Sequence, residues 1–382
     1  MSDIDLHNTA VSELKLTTIS FIEWNERANN GQYPDVTKTH WSKALGAIDS
    51  ISDANMEERD NSWKYLEATT ISYPKWKNNV DSGKYVDPTK TNWWKAFDSL
   101  SKITNNGNEF KNKFPWIFDL LEKTPNKKNL IGPQSISSAK NYYIDGIKVN
   151  GGSVDGFKIS SNGISELILI RNLDISNLSS SDKVQGISAH GKIIKVAFLS
   201  GKIFNIDLSH KLSHGAYIGR NNTTEVVLAS ILSVNTGGHN LMFYPGGISN
   251  STMINVTAIG SKLGPGLSFR EHPSEGNGPV DKIDIYNAIM CFNDRYGAEL
   301  QDATNIRFIR PCIYGNKSGT ISRSGNTDGF ELIDPIYEDP DFDNNYKPRN
   351  TKVINGAIPE MLPPFDAYGN PFTKATIGAV AG

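Results

Sequence analysis

The strongest constraint on the fold of this chain is a repeated strand pattern between residues 145 and 340. A run of the form Gly-apolar-x-apolar returns about every 20–30 residues, and each copy leads into an alternating apolar run that ends in Asn, Asp or Gly. The first runs begin at these positions: Gly156, Gly186, Gly215, Asn240, Gly266, Gly297 and Gly319. Strands that recur at this spacing, without helices between them, predict a β-solenoid.

The residues that close the second runs support the same prediction. Asn177, Asn235 and Gly260 stand where the chain must turn sharply with a positive φ, a conformation that Gly and Asn tolerate. Asn side chains that stack from coil to coil can also hydrogen-bond along the stack. A solenoid of this kind lines up equivalent residues along one long face, which suits a polymeric ligand.

The first 125 residues are of a different kind, because they contain a duplication. Matching residues lie 52 positions apart without a gap, in the pairs Trp24 and Trp76, Gly31 and Gly83, Tyr33 and Tyr85, Asp35 and Asp87, and Trp41 and Trp93. The copies, at about 18–51 and 70–103, each predict helix, turn and helix. Their aromatic residues form either a small helical core or a duplicated docking module that attaches the protein to a particle.

Composition excludes several classes of function. The chain has 382 residues and a net charge of −2, so it lacks the basic surplus of a general nucleic-acid binder. Its sequence contains no apolar run long enough for a membrane span and no classical signal peptide at residues 1–5. Cys291 and Cys312 lie in apolar runs one coil apart, and we expect both to be buried, apolar and unpaired.

Four segments follow from these patterns. We expect an α-helical domain at 1–125, a linker or cap at 126–144 and a parallel β-helix at 145–340. Residues 341–382 break the strand pattern and are rich in Pro, Gly and Ala. They predict a C-terminal cap or an extended tail.

The coil pattern resembles the right-handed parallel β-helix proteins of the pectate-lyase-like superfamily, which include polysaccharide lyases, glycoside hydrolases, epimerases and phage tailspike depolymerases. The acidic Gly-Asp-Gly-x-x-Asp-Asp-Thr run of many phage proteins is absent. The resemblance implies a carbohydrate-active, all-β right-handed parallel β-helix behind the α-helical domain. It also implies a polysaccharide or oligosaccharide substrate, a homotrimer, and an extracellular or virion-associated location, with particle attachment through the N-terminal repeats.

Aligning the coils on their glycines predicts a site on one face. His214 and His239 become neighbours, and Tyr244, Arg270 and Gln301 form one file. The predicted catalytic residues are Glu299, Asp302, Glu271 and His239. The predicted substrate-binding residues are His214, Tyr217, Tyr244, Arg270, His272, Arg295 and Tyr296. The charged segment 268–279 either walls this site or is a surface insertion.

Two chemistries fit these residues. Hydrolysis of a glycosidic bond needs two carboxyl groups, for which Glu299 with Asp302 or Glu271 is the preferred set. Elimination needs a base for a proton beside a uronate carboxylate, His239 or Tyr244, and a cation such as Arg270. A non-catalytic glycan-binding protein and a carbohydrate epimerase or transferase are the alternatives. We expect no cofactor, and no third ligand accompanies the two histidines to form a metal site.

Overall fold

A computed structural model of the chain describes residues 3–51, 55–101, 109–219, 222–272, 278–372 and 374–381. The chain divides into two compact units, Met1–Glu109 and Phe110–Gly382. The helices are α1 (Asp3–Lys15), α2 (Phe21–Asn29), α3 (His40–Asp49), α4 (Met56–Glu67), α5 (Tyr73–Asp81), α6 (Asn92–Ser101), α7 (Glu109–Lys113), α8 (Pro115–Leu121) and α9 (Thr351–Ile354). No helix among the described residues is long and apolar enough to cross a membrane.

The first unit is built from two copies of a three-helix repeat, one helix more than the sequence pattern predicted. Helices α1, α2 and α3 correspond to α4, α5 and α6 at the same spacing of 52 residues. Equivalent hydrogen bonds hold both copies. The indole N–H of Trp41 donates to the Ile19 carbonyl at 3.0 Å, and that of Trp93 donates to the Ile71 carbonyl at 2.9 Å. The duplication is therefore structural as well as sequential.

The second unit is a stack of parallel strands. Its strands are β1 (Lys127–Ile131), β2 (Gln134–Ile136), β3 (Lys140–Gly152), β4 (Phe157–Leu178), β5 (Gln185–Ile206), β6 (His214–Gly219), β7 (Thr223–Thr236), β8 (Leu241–Phe243), β9 (Ile248–Ile254), β10 (Thr257–Ile259), β11 (Leu267–Arg270), β12 (Val280–Tyr286), β13 (Ile289–Cys291), β14 (Tyr296–Gln301), β15 (Ala303–Ile309), β16 (Cys312–Tyr314), β17 (Gly319–Ser324) and β18 (Glu331–Ile333). The pairings between these strands are parallel, and they make about seven turns. The predicted parallel β-helix is confirmed.

Each full turn contributes to three sheets. Sheet A contains β2, β6, β8, β11, β14 and β17 with the first parts of β4 and β5. Sheet B contains β9, β12, β15 and β18 with the middle of β4, β5 and β7. Sheet C contains β10, β13 and β16 with the ends of β4, β5 and β7. Apolar side chains from all three sheets fill the interior.

The corners of the coils use the residues that the sequence predicted. Asn177, Asn205 and Asn235 have φ values of 58°, 55° and 56°. Their side chains form a ladder, because Asn205 donates to Asn177 at 3.0 Å and Asn235 donates to Asn205 at 3.3 Å. At each of these corners, a residue with a left-handed backbone conformation therefore also makes a side-chain hydrogen bond to a neighbouring coil.

Two of the three sheets are covered on the outside by apolar packing. Helices α7 and α8 place Phe110, Trp116 and Ile117 against the outer face of sheet B. The C-terminal segment places Val353 and Ile377 against the outer face of sheet C. The outer face of sheet A is where polar and aromatic side chains instead line an open groove.

The C-terminal segment is a strap along its own β-helix. Ser200 donates to the Asp366 carbonyl at 2.6 Å, and the buried Asn255 amide donates to the carbonyl oxygens of Thr376 and Gly378 at 2.7 and 2.9 Å. These bonds satisfy polar groups at the corner between sheets B and C.

The two cysteines pack beneath the strap, and both are buried and unpaired, as predicted. Burial raises the pKa of the Cys312 thiol to about 12, so this thiol stays protonated and unreactive at neutral pH.

Candidate functional site

A groove of about 500 Å³ lies on the outer face of sheet A. It crosses successive coils, because the lining residues come from strands that are neighbours in the stack. Its walls mix aromatic, basic, acidic and apolar side chains, namely Asp155, Lys158, Asp182, Lys183, Gln185, Ser188, His190, Leu212, His214, Tyr217, His239, Met242, Tyr244 and Arg270. Concave sites with converging polar groups are the usual places for ligands.

A ladder of side-chain acceptors builds one wall of this groove. Asp155 accepts from the backbone N–H of Gln185 at 2.9 Å, and the Gln185 side chain accepts from the backbone N–H of His214 at 2.9 Å. The Nδ1 atom of His214 then accepts from the backbone N–H of His239 at 2.9 Å. The bond from His239 assigns the proton of His214 to its Nε2 atom.

The ladder stops at His239 for a simple chemical reason. The next coil places Pro265 at the equivalent position, immediately before Gly266. Proline has no backbone N–H to donate. The Nδ1 atom of His239 is buried and has no hydrogen-bond partner among the described residues. His239 is thus the one imidazole of the ladder whose Nδ1 is not committed to the backbone.

Aromatic stacking fixes the orientation of both imidazole rings. The rings of His214 and His239 lie 4.9 Å apart with an interplanar angle of 15°. Tyr217 stacks on His214 at 5.6 Å, and its ring lies 6.0 Å from that of Tyr244. The predicted proximity of the two histidines is confirmed.

Both imidazoles are neutral at physiological pH. Burial, followed by the charge of Lys183, lowers the pKa of His214 to about 3. Burial also holds the pKa of His239 well below its usual value, with smaller contributions from His214 and Arg270. Neither ring is therefore a cation at neutral pH. The lone pair of His214 accepts the His239 N–H, so of these two rings only His239 has a nitrogen without a hydrogen-bond partner among the described residues.

Arg270 forms the cationic part of the groove. Its Nε and Nη2 atoms donate to Gln301 Oε1 at 3.0 and 2.6 Å, and its Nη1 atom lies 3.9 Å from Glu299 Oε2. Glu299 also lies 3.8 Å from Arg295. Both distances are longer than a hydrogen bond, and Glu299 Oε2 is buried without a hydrogen-bond partner among the described residues. Gln301 therefore orients Arg270, and Glu299 acts on the two guanidinium groups through its charge.

The structure brings five of the predicted residues together in the groove, namely His214, Tyr217, His239, Tyr244 and Arg270. The other predicted residues lie toward the next coils. Glu299 and Arg295 form the ion pairs behind Arg270, and Tyr296 lies under the Arg295 guanidinium at 5.8 Å. Glu271 follows Arg270 at the end of β11. The exposed His272 packs its ring against Tyr244 at 6.0 Å.

Asp302 occupies a corner position. It has a φ of 50°, and its carboxylate accepts the backbone N–H of Asn326 at 2.9 Å. This geometry gives Asp302 a role in the turn, outside the set of groove-lining residues. In the segment 268–279, residues 273–277 lie outside the described part of the chain.

Sequence reasoning placed the site too far along the stack. It missed Asp155, Lys158, Asp182, Lys183, Ser188, His190, Leu212 and Met242. Extending the same glycine alignment back to Gly156 identifies Asp155 and Lys158, since Lys158 pairs with Ser188 in register. In the last coil, Gly319 pairs with Tyr296, and Ser324 stands beside Gln301.

Comparisons with known proteins assign no family to this chain. No protein-family model matches the chain, and no curated protein matches it. Among solved structures, it is similar to the A-module of mannuronan C-5 epimerase AlgE4 from Azotobacter vinelandii, at 15% identity and a TM-score of 0.34, over 61% of this chain and 73% of that chain. The fold of this protein rests on its own strand pairings, which form a parallel β-helix.

A metal centre finds no support among the described side chains. Within that part of the chain, no group of three or more His, Cys, Asp or Glu residues could hold an ion. The groove presents three imidazoles, two tyrosines, one arginine, two lysines and two carboxylates.

Proposed function

We propose that this protein is a polysaccharide lyase, which binds an acidic polysaccharide along sheet A and cleaves it by β-elimination. The observation that carries this proposal is the presence of His239, Tyr244 and Arg270 in one groove. Together they supply a neutral base, a hydroxyl and a cation. Elimination beside a uronate carboxylate requires this combination.

The groove suits a polymer because it runs from coil to coil. Neighbouring strands of a sheet lie about 4.8 Å apart, so equivalent side chains on successive coils repeat at that spacing along the groove. Lys158 and Lys183 add positive charge toward one end of the groove, and Arg270 lies toward the other. These cations can receive the carboxylates of successive uronate residues.

The proposed reaction uses the three residues in distinct roles. His239 takes the proton from the carbon that bears the uronate carboxylate, and Arg270 stabilises the negative charge that develops on that group. The electron pair of the broken C–H bond forms a double bond to the neighbouring ring carbon. The bond from that neighbouring carbon to the glycosidic oxygen breaks, and its electron pair leaves with the oxygen. The Tyr244 hydroxyl protonates the departing oxygen.

The positions of the carboxylates argue against hydrolysis. A glycoside hydrolase needs two carboxyl groups on either side of the scissile bond. Glu299 lies between Arg270 and Arg295, and Asp302 caps a backbone N–H. Neither residue lines the groove. Two other carboxylates do, but Asp155 accepts the backbone N–H of Gln185, and Asp182 lies beside Lys183, at the end of the groove opposite Arg270. In our proposal Glu299 acts on Arg270 through its charge and does not touch the reacting atoms.

The test is incubation of the purified protein with a panel of uronate-containing polysaccharides. Elimination gives unsaturated uronates with a strong ultraviolet absorbance, together with new chain ends. His239→Asn and Arg270→Met are expected to lower this activity by at least about a hundredfold. Asp302→Asn, which keeps an oxygen acceptor for the turn, is the matched control and should retain activity.

Three results would contradict a lyase. New reducing ends without the ultraviolet signal, lost in Glu299→Gln, would indicate hydrolysis. Incorporation of solvent deuterium at the carbon beside the carboxylate of an intact polymer would indicate epimerisation. Binding without any product across the panel would indicate a glycan-binding protein.

A further inference from the structure

The helical unit contains a second cavity, and its lining residues differ in kind from those of the groove on the β-helix. It has a volume of about 380 Å³, and its walls are largely aromatic. The lining residues are Lys15, Tyr73, Trp76, Lys77, Val80, Trp94, Phe97, Asp98 and Ser101. Apart from Lys15 on α1, they belong to α5 and α6. They therefore mark one face of the second copy of the repeat.

The first copy has an equivalent face, and there it is filled. Helix α4 packs across α2 and α3, as α1 packs across α5 and α6. From α4, the Trp63 ring contacts Phe21 edge-on at 6.2 Å. Its indole N–H donates to the Asp49 carboxylate at 2.5 Å. The first copy therefore shows which group this face accepts: an indole ring with its N–H directed at an acceptor on the rim.

The second copy lacks that indole. The residue 52 positions before Trp63 is Val11, which stands on α1 one turn before Lys15. Val11 is only partly buried against the core. A valine is much smaller than a tryptophan, and the cavity lies on the face that α1 crosses. Val11 does not itself line the cavity. With valine here, the second copy has no indole at the place that Trp63 takes in the first copy.

The second copy also gains aromatic surface that its own core does not bury. Phe97 and Trp94 replace Leu45 and Ser42 of the first copy. Trp94 is 36% exposed, and Phe97 is only partly buried where its equivalent Leu45 is 5% exposed. The Phe97 ring lies 5.4 Å from Tyr73 and 6.5 Å from Trp76. These rings give edges and faces on which a further ring can pack.

The rim of the cavity differs in charge between the two copies. Lys15 and Lys77 line the second cavity, where the first copy has Glu67 and Asn25 at the equivalent positions. The Asp98 carboxylate and the Ser101 hydroxyl also line it, and they provide oxygen acceptors like that of Asp49. Lys77 also pairs with the exposed Asp81 carboxylate, a surface ion pair weak enough to exchange partners. The second copy thus combines an aromatic cavity with two lysines and one aspartate on its rim.

From this comparison we infer that the cavity of the second repeat binds a tryptophan side chain of a partner protein, presented by a segment with acidic residues on either side. The indole takes the place that Trp63 takes in the first copy, and Lys15 and Lys77 pair with the flanking carboxylates. This docking site is independent of the proposed lyase activity.

The probe is a synthetic peptide with one tryptophan between acidic residues, titrated into the full-length protein by calorimetry and by NMR. One peptide is expected to bind per chain. A peptide with leucine in place of tryptophan should bind at least about tenfold more weakly. Val11→Trp supplies the missing indole from the chain itself, and we expect it to abolish peptide binding and raise the melting temperature.

The first copy offers the matched control. Trp63→Val opens the equivalent face there, and N-acetyltryptophanamide should then bind at two places instead of one and raise the melting temperature of that variant. If Val11→Trp does not fold, Trp94→Ser, which restores the residue of the first copy, should still weaken peptide binding at least about tenfold.

Several results would overturn the inference. Peptide binding that survives Val11→Trp or Trp94→Ser would place the peptide elsewhere. Equal binding of the leucine peptide would remove the role of the indole. Neutral oligosaccharide that binds in the cavity when the peptide does not would make it a sugar site, and failure of any probe to bind would leave the cavity without this ligand.

Discussion

At the scale of the residue, the ladder of side-chain acceptors ends where one backbone N–H is missing. Asp155, Gln185 and His214 each accept the backbone N–H of the following coil. Pro265 offers none, so His239 keeps an uncommitted Nδ1 atom. The ladder thus ends in one neutral imidazole whose buried Nδ1 atom has no hydrogen-bond partner among the described residues.

The buried imidazoles predict how stability depends on pH. The pKa of His214 is about 3 in the folded protein, where burial lowers it from the ordinary value of 6.5. Between these two pH values, the unfolded chain binds more protons than the folded chain. Stability is therefore complete above pH 6.5 and is lost as the pH falls below it, by up to about 1.4 kcal/mol per pH unit for this residue.

Urea unfolding of the β-helix at several pH values measures this slope. His214→Gln removes one titrating group while supplying the acceptor that Gln185 supplies one coil earlier. We expect the variant to show a shallower loss of stability below pH 6.5. An unchanged slope would show that His214 does not carry the linkage.

At the scale of the element, the corners decide how the coils stack. Asn205 has a left-handed backbone and shares side-chain bonds with Asn177 and Asn235. The left-handed conformation costs an ordinary residue about 1–2 kcal/mol, and each net hydrogen bond contributes about 1 kcal/mol. Asn205 therefore contributes to stability in two separable ways, through its backbone conformation and through its side-chain hydrogen bonds.

Two variants separate these contributions. Asn205→Ala should lower the free energy of unfolding by about 3–4 kcal/mol, because it loses two ladder hydrogen bonds and the tolerance of a positive φ. Asn205→Gly tolerates the backbone and loses only the ladder, so it should recover about half of that loss. Equal effects in urea unfolding would assign the whole cost to the hydrogen bonds.

The elements also show what the sequence could predict. The glycine pattern predicted the strands of sheet A, and the asparagines at the run ends predicted corners such as Asn177, because both depend on local backbone geometry. The cover of sheets B and C was not predictable in this way. Phe110 and Ile377 reach those sheets from distant parts of the sequence, and periodicity carries no information on such contacts.

The same limit explains the partial prediction of the site. The alignment found His214 and His239 as neighbours because they occupy one position of successive coils. It could not show that the Asp302 carboxylate accepts the backbone N–H of Asn326 and so belongs to a turn. It also could not show that Asp182 and Leu212, which lie on loops between strands, close the groove.

At the scale of the whole molecule, the two compact units predict two unfolding events. Six of the seven tryptophans, all except Trp116, belong to the unit Met1–Glu109. Tryptophan fluorescence should therefore follow mainly the helical unit, while the β-sheet signal of circular dichroism follows the β-helix. We expect the two transitions to occur at different urea concentrations.

A chain that starts at Phe110 provides the control. It should keep the β-sheet transition and the proposed activity, because the groove and the helices that cover sheet B belong to the second unit. A single transition seen by both probes in the full chain, together with loss of the β-sheet signal in the shorter one, would mean that the units fold as one.

The strap on sheet C has a consequence for synthesis on the ribosome. The corner at Ser200 obtains its acceptor from Asp366, 166 residues later, and Asn255 obtains one from Thr376, 121 residues later. At about 5–20 residues per second, the emerging coils wait roughly 10 to 30 s with these groups uncovered. Translation speed and chaperone access during that interval therefore bear on how much of the nascent β-helix reaches its native form.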